Sequence, residues 1–172
     1  MTVLAHLLSR HLDPDRYHCV VDEEGNTATF YTFNLSGKLN GFQQYRPGAT
    51  KEPNNCPRNG RYFTYGSPAE RVVWGMETFY FRKDVLFVTE GIFDAVRLHN
   101  LGLPAIAVFT CNPKDMLNWF GMLPRKIVFV ADDDKAGVFF TKLGYECLVS
   151  NGGKDLGDMT DEQVRELVQD YL

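Results

Sequence analysis

Two stretches hold the residues best suited to chemistry. One is Val85-Leu-Phe-Val-Thr-Glu90-Gly91, followed at once by Ile-Phe-Asp94. The other is Lys126-Ile-Val-Phe-Val-Ala-Asp132-Asp133-Asp134-Lys135-Ala-Gly137. Each is an apolar run that ends in acid and passes through a glycine. In an extended segment alternate side chains share a face, so Asp132 and Asp134 point together and Asp133 away. Two carboxylates so placed can hold one hard cation, and oxygen-only ligands favour Mg²⁺ or Mn²⁺. Glu90 can complete a second cation site, giving the two-metal arrangement of phosphodiester chemistry. Left unligated, it can serve as a general acid or base, its pKa raised by neighbouring negative charge. Lys135 offers a cation to a phosphoryl oxygen. Asp94 fits a further metal ligand or an acid in the first turn of a helix, favoured there by the dipole.

These acids need a scaffold that brings them together. From Asp84 onward the pattern is regular: strands over 85–89, 105–110, 126–131 and 146–149 alternate with helices over 92–101, 113–121, 135–143 and 160–171. The last helix has Thr160 as its N-cap. Four βα units in series predict a parallel sheet with helices on both faces. In such open α/β sheets ligands sit beyond the carboxyl ends of the strands, so Glu90, Asp132 and Asp134 are expected at one rim. Gly91 and Gly137 allow close backbone approach and open helices whose N-termini suit phosphate.

Residues 1–83 read differently. A helix over 3–12 is followed by strands over 17–22, 27–34 and 39–46, a long Pro/Gly/Asn loop over 47–60, and a strand over 61–65. A short strand and a helical turn near Met76–Phe81 follow. This predicts a small, mainly antiparallel N-terminal β lobe (1–83) ahead of the α/β domain (84–172). The whole is an α/β chain with a four-stranded parallel sheet flanked by helices.

Charge separates the two parts. The chain of 172 residues has a net charge of −4. Residues 1–84 carry a net +1 and residues 85–172 a net −5, while 38–62 has Lys38, Arg46, Lys51, Arg58 and Arg61 against Glu52 alone. A basic strip beside an acidic site suits a metal-dependent enzyme acting on phosphate. The basic residues interleave with Phe42, Tyr45, Tyr62, Phe63 and Tyr65, and cations for phosphate with aromatics for stacking are the means of single-strand binding. A polar hairpin with core aromatics is the plainer alternative. The four cysteines (Cys19, Cys56, Cys111, Cys147) have neither zinc-finger nor disulfide-framework spacing. No apolar run has the length of a membrane span, and the N-terminus lacks a signal-peptide pattern, so a cytoplasmic protein with no membrane partner is expected.

Glu90-Gly-Ile-Phe-Asp94, Ala131-Asp132-Asp-Asp134-Lys-Ala-Gly137 and Gly153-Lys-Asp155-Leu-Gly-Asp158 resemble the three signatures of a TOPRIM domain of the bacterial and phage primase type. Upstream, Ser36-Gly-Lys-Leu-Asn-Gly-Phe-Gln-Gln-Tyr-Arg46, Asn54-Asn55, Tyr62-Phe-Thr and Val73-Trp-Gly75 resemble the basic subdomain that precedes TOPRIM in those primases. The resemblance implies that Glu90 is the catalytic carboxylate and that Asp132 and Asp134 are Mg²⁺ ligands. Asp94 and Asp155 are weaker carry-overs.

It further implies that the basic lobe guides single-stranded DNA or nucleoside triphosphates. Lys38, Arg46, Lys51, Arg58, Arg61, Tyr45 and Tyr62 of that lobe, with Lys154 and Asp155 of the α/β domain, are the expected contacts of nucleic acid or nucleotide. The CxxC pairs of the primase zinc ribbon are missing, as is a helicase region. The resemblance therefore implies a stripped, phage-type core working with a helicase or zinc-ribbon protein supplied separately. Three functions follow from it: primase-like nucleotidyl transfer, TOPRIM nuclease action on DNA or RNA, and a non-catalytic replication accessory or effector.

Overall fold

The structure is a computed structural model that describes residues 1–51, 56–67, 70–150 and 154–172. Glu52, Asn54-Asn55 and Gly153, used above, lie outside the described residues. The chain divides into two compact units, Met1–Val72 and Val73–Leu172. The sequence pattern places the boundary at 83/84. Residues 73–83 instead belong with the second unit: Trp74 bridges to Ala107, and the Thr78 hydroxyl accepts from the Ala105 amide at 3.2 Å.

In the first unit, α1 (Val3–Ser9) is capped by the Thr2 hydroxyl, which accepts from the Ala5 amide. It stops three residues short of the expected end because His11 takes a left-handed φ of 62°. The Leu12 amide then turns back to the Leu7 carbonyl and the His11 amide to that of Leu8, a Schellman closure. Leu12 is fully buried as its apolar partner. Strands β1 (Cys19–Asp22), β2 (Thr27–Asn34), β3 (Leu39–Tyr45) and β4 (Tyr62–Gly66) form an antiparallel sheet in chain order, and β5 (Val72–Val73) pairs with β2. Gly41 is required in β3: its φ is +129°, and a Cβ there would lie 2.0 Å from the Tyr65 carbonyl oxygen across the strand pair.

In the second unit β6 (Val85–Thr89), β7 (Ala105–Ala107), β8 (Lys126–Ala131) and β9 (Glu146–Val149) form the expected four-stranded parallel sheet, in the order β7-β6-β8-β9. Every residue of β6 and β7 is buried, which accounts for their unbroken apolar sequence. Helix α2 (Ile92–His99) packs on β6 and β7; α3 (Leu117–Met122) precedes β8; α4 (Val138–Thr141) packs on β8 and β9; α5 (Asp161–Leu167) packs on α2. Thr160 caps α5 in a capping box with Gln163.

The order fixes where a ligand belongs. From β6 the chain steps to one side, to β7, then crosses to β8 and β9 on the other. Right-handed crossovers in opposite directions put α2 and α4 on opposite faces. The loops after β6 and β8 therefore part at the switch point of the sheet, where such folds open a crevice.

The regular elements are shorter than their sequence patterns. β7 ends at Ala107, and Phe109 takes a left-handed φ of 56°. Helix 135–143 contracts to the single turn of α4 because the residues before it form a tight acid-capped turn.

Candidate active site

Glu90 and Asp132 each follow directly on the last residue of adjacent parallel strands, β6 and β8. The register pairs Val88 with Phe129, so two steps further on Glu90 draws level with Ala131, one residue before Asp132. On its other flank the Glu90 carbonyl accepts from the Phe109 amide at 3.0 Å, which continues the β6–β7 ladder past the ends of the strands. The Thr89 hydroxyl, fully buried, donates to the Gly91 carbonyl at 3.0 Å. The backbone that presents Glu90 is thus held from both sides.

The Asp132–Gly137 turn is fixed by its own side chains. One Asp134 carboxylate oxygen, Oδ1, accepts from the Gly137 amide at 2.7 Å. A Cβ on Gly137 would stand 1.9 Å from the Asp132 carbonyl oxygen, so only glycine lets the chain fold back this closely. The Asp133 amide donates to the Ser150 hydroxyl at 3.2 Å, and the Ser150 amide to the Ala131 carbonyl at 2.9 Å. Ser150, 1% exposed, anchors the acid turn to the end of β9. Sequence reasoning missed it; the only signal was a small polar residue closing the last strand.

The third signature reaches the same rim through Asp94. Its Oδ1 accepts from the Gly157 amide at 2.9 Å, and its Oδ2 lies 2.9 Å from where a Cβ on Gly91 would be. Asp94 thereby joins the start of α2 to the 154–158 segment, where Asp155 is the N-cap position of a short 3-10 turn. Arg97, also overlooked in the sequence, supports this joint. Its Nη2 donates to the Met159 carbonyl at 2.9 Å and pairs with Asp161 at 2.8 Å.

The electrostatics of the rim centre on Glu90. Half-buried, it has its carboxyl pushed above the ordinary glutamate value, first by burial and then by the negative charge of Asp134. Asp133, Asp134, Lys135 and Lys154 are exposed, and Asp132 is half-buried. Among the described residues no three His, Cys, Asp or Glu side chains stand close enough together to hold a metal ion. The donor chemistry nonetheless suits a hard divalent cation: carboxylate oxygens only, with one acid raised by the charge of another, a repulsion that a cation relieves.

In the first unit, Lys38, Lys51 and Arg58 are exposed. Arg46 and Arg61 are half-buried and partly committed: Arg46 Nη2 donates to Gln44 Oε1 at 2.7 Å, and Arg61 Nε to the Ala49 carbonyl at 3.1 Å. Tyr45 is 2% exposed, its hydroxyl 3.0 Å from His6 Nδ1, and Tyr62 packs on it at 5.1 Å between ring centroids. The buried ring of Tyr45 presents no face to a nucleobase.

No family model and no curated protein matches the sequence. Solved structures do match. A DNA primase domain from Pseudomonas aeruginosa superposes with a TM-score of 0.61 at 17% identity, covering 98% of this chain and 59% of its own. The Aquifex aeolicus primase (zinc binding and RNA polymerase domains) gives 0.60 at 20% identity over 98% of this chain and 46% of its own. The primase fragment of the bacteriophage T7 primase-helicase protein gives 0.57 at 14% identity over 84% and 62%. This chain thus spans 46% to 62% of the length of those solved chains. No helix among the described residues is long and apolar enough to cross a membrane. The chain has the fold of part of the solved DNA primase domains.

Proposed function

We propose that the chain is a metal-dependent nucleic-acid enzyme of the TOPRIM type, carrying out primase-like nucleotidyl transfer on a single-stranded DNA template. The observation that carries this is geometric: Glu90 and Asp132 close the adjacent parallel strands β6 and β8 at the switch point of the sheet, in a fold like that of solved DNA primase domains. Acids closing neighbouring strands at a crevice that receives ligands suit a cation and a phosphate.

Asp132 and Asp134 would hold Mg²⁺ or Mn²⁺, with Glu90 beside them unligated and Asp94 holding the 154–158 segment in place. Bound there, the cation supplies charge neutralisation for the triphosphate and its leaving pyrophosphate. Lys135 and Lys154, both exposed, are free to swing toward phosphoryl oxygens. The half-buried Glu90, with its affinity for a proton raised, is suited to take the proton from the attacking hydroxyl. Lys38, Lys51 and Arg58 offer exposed positive charge to a nucleic-acid backbone.

Incubation with labelled nucleoside triphosphates, single-stranded DNA templates and Mg²⁺ or Mn²⁺ tests the reading. Short oligonucleotides are expected from the wild type and none from Glu90→Gln. Cleavage of the template without triphosphates, also lost in Glu90→Gln, would replace this reading with a hydrolytic one. No product of either kind would overturn it.

A further inference from the structure

The antiparallel sheet of the first unit has two unlike faces. Residues opposite each other on neighbouring strands share a side, so the register sorts them. Ala28, Phe30 and Tyr45 lie on one side and are buried with Val3 and Leu7 of α1. Tyr31, Phe42, Gln44, Phe63 and Tyr65 lie on the other, since Phe42 pairs with Tyr31 and Tyr65, and Gln44 with Phe63. Tyr65 is 54% exposed and Tyr31 36%. Exposing aromatic rings to water forfeits their burial energy, so a contiguous group of them on a sheet face marks a binding surface.

The group is ordered as a platform. Phe42 and Tyr65 stack with centroids 5.5 Å apart and ring planes at 27°; Phe63 meets Phe42 edge-on at 6.3 Å. The Arg58 guanidinium lies over Phe63, 5.9 Å from its centroid. Phe42, Gln44, Arg58, Phe63 and Tyr65 line a groove of about 270 Å³. These lining residues include a positive charge, no negative charge and no aliphatic side chain. Aromatic faces beside a guanidinium suit a planar ring attached to a phosphate.

The geometry points to this groove as a nucleobase-stacking subsite for single-stranded DNA, with Tyr65 as the stacking residue and Arg58 as the phosphate contact. A base laid on the outer face of Tyr65 extends the Phe42–Tyr65 stack by one ring. This rests on the proposed nucleic-acid role and moves the stacking function of the buried Tyr45 to the opposite face of the same sheet.

Fluorescence anisotropy on the full chain, without metal or triphosphate, tests it. The probes are a labelled oligothymidylate and a strand of equal length made of abasic sugar-phosphate. Wild type is expected to prefer oligothymidylate by roughly 5- to 100-fold, the weight of one base–aromatic stack. Tyr65→Ala should lose that preference while binding the abasic strand as wild type does, which also shows that it is folded; Tyr65→Trp should keep it. A wild type that binds both strands equally, or a Tyr65→Ala variant that retains the preference, overturns the inference. Glu90→Gln should keep the preference. Absent synthesis with the preference intact therefore counts against the catalytic reading alone, and synthesis without the preference counts against this subsite alone.

Discussion

Asp94 and Gly157 are 63 residues apart in the chain and 2.9 Å apart in space, carboxylate oxygen to amide nitrogen. That bond fastens the third acidic signature to the helix that follows Glu90. In Asp94→Ala the Gly157 amide, buried, loses this acceptor. The expected loss of stability is about 1–3 kcal/mol, read by urea denaturation, with faster hydrogen exchange at Gly157. Asp94→Asn, which keeps an acceptor oxygen, should lose less.

Gly137→Ala should be more damaging than its size implies. The new methyl would start 1.9 Å from the Asp132 carbonyl oxygen, and that neighbour is backbone. The turn must open, breaking the Asp134–Gly137 bond and moving both acids. A loss of roughly 2–4 kcal/mol is expected, together with abolished oligonucleotide synthesis. Gly144→Ala is the control: its φ of +82° carries strain, but a Cβ there meets nothing within 4 Å. It should lose less stability and keep activity.

The raised pKa of Glu90 makes a signed prediction. The folded protein holds this proton more tightly than the unfolded chain, so stability falls as pH rises from the ordinary glutamate value through the folded one. Above that window the ionised Glu90 is a full penalty. Without metal, Glu90→Gln should therefore melt higher than wild type at neutral pH, the difference vanishing below the ordinary value of 4.5. Added Mg²⁺ should raise the melting temperature of wild type more than that of the variant.

His6 has the opposite slope. Burial, then Arg10, Arg61 and the N-terminus, lower its pKa from 6.5. The unfolded chain binds this proton more readily, so the stability it contributes is present above 6.5 and lost as pH falls through its lowered value. Thermal melts between pH 5 and pH 7.5 (about the window in which histidine titrates) should show an acid-side decline that His6→Gln reduces.

Cys19 should resist alkylation. Burial, then Asp15 and Asp13, push its thiol to about 11, leaving almost no thiolate at neutral pH. Timed iodoacetamide labelling with peptide mass spectrometry should find Cys19 modified more slowly than an unfolded control.

Much of this was legible in the sequence. The buried parallel strands wrote themselves as unbroken apolar runs, and the Thr160 cap stood at its expected place. Glu90 and Asp132 were readable because each closes such a run. Other features depended on tertiary context. Periodicity assigned 135–143 to a helix, but the Asp134 cap and the Gly137 close approach use up its first residues as a turn. Alternation in β3 and β4 separated two sets of side chains without saying which set α1 covers, so Tyr45 was read as a base contact although it packs against His6. Ser150 and Arg97 act through backbone groups distant in sequence, which no local pattern encodes.

The most direct test of the central claim is a Mn²⁺ soak of crystals of the protein, read by anomalous scattering. The account predicts a peak between Glu90 and the Asp132/Asp134 pair that disappears in Asp134→Asn. Density with no peak there, and with those carboxylates paired to lysines instead, would contradict it.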